Sequence, residues 1–118
     1  MSQGVKRILL FFTRPRKERR RMAKESAFQA KLIRKLKEAY PGCFVLKNDA
    51  NYIQGFPDLT VLYKDKWALL ECKRGSDAHK QPNQQYYIDR GNEMCFARFI
   101  SPENEEEVLN DLQHAFRT

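Results

Sequence analysis

The stretch GFPDLTVLYKDKWALLECKR, Gly55–Arg74, decides the fold of this chain. Two runs rich in aliphatic, β-branched and aromatic residues, Leu59–Tyr63 and Trp67–Lys73, flank the short polar link Lys64–Lys66. This pattern predicts a β-hairpin, because such runs favour strands and a short polar link favours a tight turn. The turn residues Gly55–Asp58 lead into the first strand.

The predicted hairpin brings three charged side chains together. Side chains alternate between the faces of a strand, so Glu71 and Lys73 point to one face and Cys72 to the other. An antiparallel hairpin places Asp58 opposite the end of the second strand, beside Glu71. Two adjacent carboxylates repel each other unless a cation lies between them, and their hard oxygens suit Mg²⁺ or Mn²⁺. The sequence therefore predicts a divalent-metal site for phosphodiester hydrolysis, with Lys73 orienting water or stabilising developing negative charge.

A plain structural interpretation of the same residues stays open at this point. Glu71 and Lys73 can form an ion pair on a solvated strand face, which contributes little. Asp58 can simply close a Pro-Asp turn.

The composition favours one folded domain with an anionic partner. A chain of 118 residues, 42% of them hydrophobic, can build a single core. The net charge of +7 and the pI near 9.5 favour nucleic acid first, and an acidic membrane surface or an acidic protein second. The three cysteines lack the spacing of a zinc site or a disulfide framework, which indicates reduced thiols in the cytoplasm.

Residues 1–22 are predicted to form a basic arm ahead of a domain that spans residues 23–118. Residues 1–24 hold nine Lys and Arg against the single acid Glu18. The apolar run Ile8–Phe12 is far shorter than the ~20 residues of a membrane span, and no signal-peptide cleavage site follows it. We expect the arm to bind phosphates through Arg14, Arg16, Lys17, Arg19, Arg20 and Arg21. A solvated tail without a specific partner is the alternative.

A helix is predicted from about Arg20 to Tyr40, because Phe28, Leu32 and Leu36 recur at helical spacing. Glu25 lies on or near the same core-facing stripe. An inward carboxylate needs a partner, and a metal shared with the hairpin acids would supply one. The alternative is that Glu25 favours the positive N-terminus of the helix or pairs with a basic neighbour.

The remaining pattern predicts a strand at Cys43–Lys47, a helix at Gln84–Arg90, a strand at Cys95–Ile100 and a last helix capped by Ser101. The predicted order is helix, strand, hairpin, helix, strand, helix. Near the start of the second helix, a side-chain amide can bind a phosphate or a water, or merely cap the helix; the candidates are Gln81, Gln84 and Gln85.

These residues together resemble a known motif. Glu25 in an opening helix, Gly55–Asp58, Glu71–Lys73 and a Gln at the next helix resemble the PD-(D/E)XK nuclease superfamily, and more specifically the stand-alone VRR-NUC-type nucleases of phages, which are similar to Holliday-junction resolvases. The resemblance covers roughly residues 25–112. It implies an α/β, restriction-endonuclease-like core with a central mixed β-sheet flanked by helices.

The resemblance also implies a role for each motif residue. Lys73 would position or activate the attacking water, and Gln84, rather than Gln81, would be the motif glutamine. The ligands of Mg²⁺ or Mn²⁺ would be Asp58, Glu71, the backbone carbonyl of Cys72 and, as an additional ligand or a group that orients a metal-bound water, Glu25.

The activity implied is that of a divalent-metal-dependent endonuclease that hydrolyses phosphodiester bonds in DNA, with branched or junction DNA as the expected substrate. Relatives of this type that work alone tend to be homodimers, so the resemblance implies a homodimer, in the host cytoplasm if the chain is phage-encoded. No membrane and no small organic cofactor are expected. Two alternatives remain: a nucleic-acid-binding module with little or no catalysis, and a small regulatory protein whose arm binds an acidic protein.

Overall fold

The structure is a computed structural model that describes residues 12–75 and 78–117 of the chain. In these residues the elements follow the predicted order of helix, strand, hairpin, helix, strand, helix. They are α1 (Arg16–Ala39), β1 (Phe44–Lys47), β2 (Leu59–Tyr63), β3 (Lys66–Cys72), α2 (Pro82–Met94), β4 (Ala97–Ile100) and α3 (Glu105–Ala115).

The strands form one mixed sheet in the order β1-β2-β3-β4. The pairs β1–β2 and β2–β3 are antiparallel, whereas β3–β4 is parallel and is connected through α2. The two-residue link Lys64–Asp65 closes the hairpin, and Lys64 takes a left-handed conformation with a φ of 56°. The ladder pairs Leu59 with Leu70. The predicted α/β class, with a central mixed sheet flanked by helices, is confirmed.

Helices cover both faces of the sheet. On one face, α1 and α3 form the main core around Leu32, Leu36 and Leu112. On the other face, α2 packs through Ile88 against β3 and β4. A Cβ at Gly91 would lie only 2.6 Å from the Cβ of Ala97, so a glycine is what allows α2 to approach β4 so closely.

Helix α1 begins earlier than predicted, directly after Pro15, and Glu18 occupies its first turn. The Glu18 carboxylate lies 2.8 Å from the Arg14 guanidinium. Negative charge in a first turn is favourable because it interacts with the helix dipole. The predicted boundary at residue 22 therefore falls inside a continuous helix, and the part of the arm at residues 1–11 lies outside the described residues.

Helix α3 begins later than predicted, at Glu105, with Asn104 as its N-cap. The prediction that Ser101 caps this helix is wrong. Ser101 is buried, and its backbone N–H donates to Asn104 Oδ1 at 2.7 Å. This hydrogen bond closes a turn over residues 102–104, so the helix starts only after the turn.

In the described part of the chain, no helix has both the length and the apolar character needed to cross a bilayer.

Candidate active site

Asp58 and Glu71 lie side by side at the end of the hairpin. Because Leu59 and Leu70 form the last pair of the ladder, the next two positions outward are those of the two acids. The Asp58 Oδ2 atom accepts a hydrogen bond from the backbone N–H of Cys72 at 2.8 Å. The side-chain carboxylate thus takes the place of a backbone acceptor where the ladder stops. Glu71 is only 4% exposed.

The turn that carries Asp58 is held by Asn48, which follows β1. The Asn48 Nδ2 atom donates to the carbonyl of Pro57 at 2.8 Å, and the Asn48 backbone N–H donates to the carbonyl of Asp58 at 2.8 Å. Asn48 therefore acts as a positioning residue for the first acid.

The same turn also contacts the start of α2. Gly55 has a φ of 85°, and a Cβ on it would lie 2.5 Å from the Asn83 side chain. The Asn83 Nδ2 atom donates to the carbonyl of Gln54 at 3.1 Å. A glycine is therefore required both by the left-handed backbone and by the close approach. The contact fixes the turn beside the N-terminus of α2.

Gln84 is the glutamine that reaches Glu71, on β3, and Lys73, which directly follows the strand. Its Nε2 atom donates to Glu71 Oε2 at 3.1 Å, and its Oε1 atom accepts a hydrogen bond from Lys73 Nζ at 2.7 Å. The Gln81 backbone N–H also donates to Gln84 Oε1, at 3.1 Å. This capping interaction orients the Gln84 side chain towards the end of β3. Gln85 instead bonds to Asp89.

The surroundings favour a neutral Glu71 in the metal-free protein. Burial raises the pKa of Glu71 to about 9, and hydrogen bonding with Asp58 and the negative charge of Asp58 add to the effect, whereas the charge of Lys73 opposes it. Such a carboxyl becomes a charged ligand only if a cation compensates the cost of burying its charge.

Cys72, the last residue of β3, lies between Glu71 and Lys73 but faces the opposite side of the sheet from Glu71. It packs against the main core and lines a small cavity together with Gln29 of α1. Burial, and secondarily the negative charge of Asp58, raises the pKa of the Cys72 thiol to about 12. The thiol is therefore neutral near pH 7 and is neither a nucleophile nor a thiolate ligand, which leaves the backbone carbonyl as the group the resemblance assigns to a metal.

One cleft of about 300 Å³ is lined by Asp58, Glu71, Cys72, Lys73 and Gln84. The cleft contains carboxylates and cations together: Glu25, Asp58, Glu71, Lys73, Arg21 and Arg74. Glu25 comes from α1, well inside the helix, so the positive charge of the helix N-terminus does not account for its position. In the described part of the chain no Lys or Arg lies within 4.0 Å of the Glu25 carboxylate.

The open structural interpretation of the hairpin charges is only partly correct. Glu71 is buried rather than on a solvated face, and among the described residues Lys73 bonds to Gln84 and to the carbonyl of His79 rather than pairing with Glu71. Asp58 does have a structural role, because its carboxylate accepts a hydrogen bond from the Cys72 amide at the open end of the hairpin.

The basic residues predicted to bind phosphates differ in their positions relative to the cleft. Arg21 lines the cleft, and Lys17 lines an adjoining cavity. Arg14 is engaged with Glu18. The others, Arg16, Arg19 and Arg20, line neither cavity.

Sequence reasoning missed Arg74. This residue lines both the cleft and the adjoining cavity. The signal was its position in the sequence, because Arg74 directly follows Lys73.

The carboxylate oxygens that line the cleft are of the type that a divalent cation such as Mg²⁺ prefers. Asp58 and Glu71 supply two hard oxygen ligands in one cleft, and Glu25 lines the same cleft. Among residues 12–75 and 78–117, no group of three His, Cys, Asp or Glu side chains is drawn together around a common point. Backbone carbonyl and water would have to complete the coordination shell, which is ordinary for Mg²⁺.

Comparisons of the chain with protein-family models, with curated proteins and with solved structures find no match. The resemblance to nucleases therefore rests on the motif residues alone, and the function is argued from the cleft.

Proposed function

We propose that this chain is a divalent-metal-dependent endonuclease that hydrolyses phosphodiester bonds in DNA. One observation carries the proposal: Asp58 and Glu71, which are distant in sequence, meet in a cleft where Gln84 bonds to both Glu71 and Lys73. A restriction-endonuclease-like core is part of the proposal. It is supported by the antiparallel β1-β2-β3 meander with β4 added parallel to β3.

In the proposed site, Asp58, Glu71 and the carbonyl of Cys72 would hold Mg²⁺ or Mn²⁺, with Glu25 as a further ligand or a group that orients a metal-bound water. A bound divalent ion polarises a phosphoryl oxygen and lowers the pKa of its water.

Lys73 donates a hydrogen bond to the attacking water or to the negative charge that develops on the phosphate. Gln84 holds the Lys73 ammonium towards the cleft, because its oxygen accepts from Lys73 while its amide nitrogen donates to Glu71. Arg21 and Arg74 attract the phosphate backbone to an otherwise acidic cleft.

The direct test measures cleavage of labelled single-stranded, duplex, flap and four-way DNA, each with Mg²⁺, with Mn²⁺ and with chelator. We expect Asp58→Asn and Lys73→Ala to abolish metal-dependent cleavage while salt-sensitive DNA binding is retained. Asp89→Asn, an exposed acid on α2, is the matched control and should cleave like the wild type. Cleavage that survives both site substitutions would refute the assignment. Branched DNA as the preferred substrate and the homodimer stay predictions, which this panel and sedimentation over a concentration series measure.

A nucleic-acid-binding module without catalysis is the second candidate. One observation favours it: Asp58 Oδ2 is already engaged with the Cys72 amide, so this carboxylate has a structural role without any metal. Calorimetric titration with Mn²⁺ separates the two candidates. Binding that is lost in Asp58→Asn supports the nuclease, and DNA binding without any metal affinity supports the module.

A further inference from the structure

A second cavity adjoins the cleft, and we name it the Arg21–Arg74 groove. Its volume is about 320 Å³, and its lining consists of Pro15, Lys17, Glu18, Arg21 and Arg74. Arg21 and Arg74 line the cleft as well, so the two cavities share these two side chains. Three of the lining side chains carry positive charge and one carries negative charge.

The groove forms where one face of α1 changes from apolar to polar and then to basic side chains towards the N-terminus of the helix. Leu36 and Leu32 are fully buried in the core. One turn nearer the N-terminus, Gln29 and Glu25 lie against the end of the hairpin. The next turn presents Arg21. These positions are three or four residues apart and therefore share one side of the helix.

Strand β3 meets the same helix face in the reverse order. Leu70 packs in the core, Cys72 lies beside Gln29, and Arg74 lies beside Arg21. Along β3, Leu70 and Cys72 alternate with Glu71, which faces the opposite side of the sheet. Arg74 lies two residues beyond the end of β3 and lines the same cavity as Arg21, whereas Lys73 bonds to Gln84 of α2.

The charges of the groove are available to an anion. The Glu18 carboxylate is 2.8 Å from Arg14 but 3.9 Å from Arg21, so its closer partner is Arg14. Within residues 12–75 and 78–117, no carboxylate lies within 4.0 Å of the Arg74 guanidinium. Two guanidinium groups on one cavity are suited to a phosphate, because each can donate two parallel hydrogen bonds to its oxygens.

We infer that the Arg21–Arg74 groove binds a backbone phosphate of a nucleic-acid strand, next to the phosphate that occupies the cleft. Arg21 is one helical turn from Glu25, about 6 Å along the axis, which is comparable with the spacing of neighbouring phosphates in one strand. The inference rests on the proposed function, and it assigns Arg74 to substrate binding. A phosphate contact positions the strand without reading its bases, so its contribution is the same for every sequence.

The test measures the binding of a fluorescent DNA strand by anisotropy in the presence of chelator, over a series of NaCl concentrations. Arg74→Gln and Arg21→Gln should each weaken binding about tenfold and reduce the slope of log K against log salt by about 1. Arg90→Gln is the control, since Arg90 is exposed on α2 and pairs with Glu93 at 2.9 Å. It should leave the affinity and the slope unchanged.

A second measurement locates the phosphate. A neutral methylphosphonate is placed at one linkage of the strand at a time. At one linkage it should weaken binding of the wild type about tenfold but leave binding of Arg74→Gln unaffected. If the wild type cleaves the strand, this linkage should neighbour the cleaved one.

Two outcomes would overturn the inference. One is an Arg74→Gln variant that binds like Arg90→Gln at every salt concentration. The other is a methylphosphonate profile of Arg74→Gln that matches the wild type at every linkage. Because binding is measured with chelator, these two outcomes do not depend on cleavage. Absence of cleavage with every metal would count against the proposed nuclease activity but not against phosphate binding in the groove.

Discussion

Replacing Glu71 with glutamine should stabilise the metal-free protein at neutral pH while removing the proposed activity. Glu71 is buried beside Asp58, and folding raises its pKa from 4.5 to about 9, chiefly because burial disfavours the charged form. The folded protein therefore holds a proton that the unfolded chain releases between these two pH values. The associated stability is fully present below pH 4.5 and is lost as the pH rises towards 9.

The size of the effect follows from the proton difference. One proton corresponds to about 1.4 kcal/mol of unfolding free energy per pH unit. From roughly pH 5 to pH 8, the wild type should lose up to about 4 kcal/mol relative to Glu71→Gln, which cannot titrate. This figure is an upper limit, because the buried pair can relax when it ionises.

Urea unfolding in chelator measures the difference, followed by the fluorescence of Trp67, the only tryptophan of the chain. We expect the stability advantage of Glu71→Gln to grow with pH. Glu93→Gln is the control, because the Glu93 side chain is 63% exposed. The unfolding free energy of this variant should change with pH in the same way as that of the wild type. Added Mn²⁺ should stabilise the wild type far more than Glu71→Gln. An advantage that does not change with pH would show that the reasoning about the buried carboxyl is wrong.

Three further variants test the surrounding contacts. Gln84→Ala should lower the cleavage rate about 10- to 100-fold in kinetic assays with a smaller effect on DNA affinity, because the Lys73 ammonium loses its side-chain acceptor and keeps only the His79 carbonyl; an unchanged rate would exclude the positioning role. Asn48→Ala should reduce the unfolding free energy by about 1–3 kcal/mol in urea titrations, since the carbonyl of Pro57 loses its donor, and equal stability would contradict this. Gly91→Ala should destabilise the protein by about 1–3 kcal/mol through overpacking, which thermal unfolding would detect as a lower Tm; an unchanged Tm would mean that α2 shifts without cost.

The hairpin and the meeting of its two acids followed from the sequence. A two-residue link between strands fixes the register, and the register fixes which side chains oppose each other. Asp58 and Glu71 were therefore predictable neighbours. The same strand alternation separated Glu71 and Lys73 from Cys72.

The choice among the glutamines did not follow from the sequence. Gln81, Gln84 and Gln85 have similar local propensities, and only the packing of α2 on the sheet directs Gln84 to the end of β3. The start of α3 was also missed, because a turn held by Asn104 replaced the predicted cap at Ser101.

The sequence by itself determined the order of the elements, the α/β class and the pairing of the two acids, because these depend on local periodicity and on one short turn. Only the tertiary structure decided which glutamine reaches Lys73 and that Arg21 and Arg74 share a groove. Those contacts join α1 and α2 to strands distant in the chain, and no local propensity specifies how a helix is rotated and placed on a sheet.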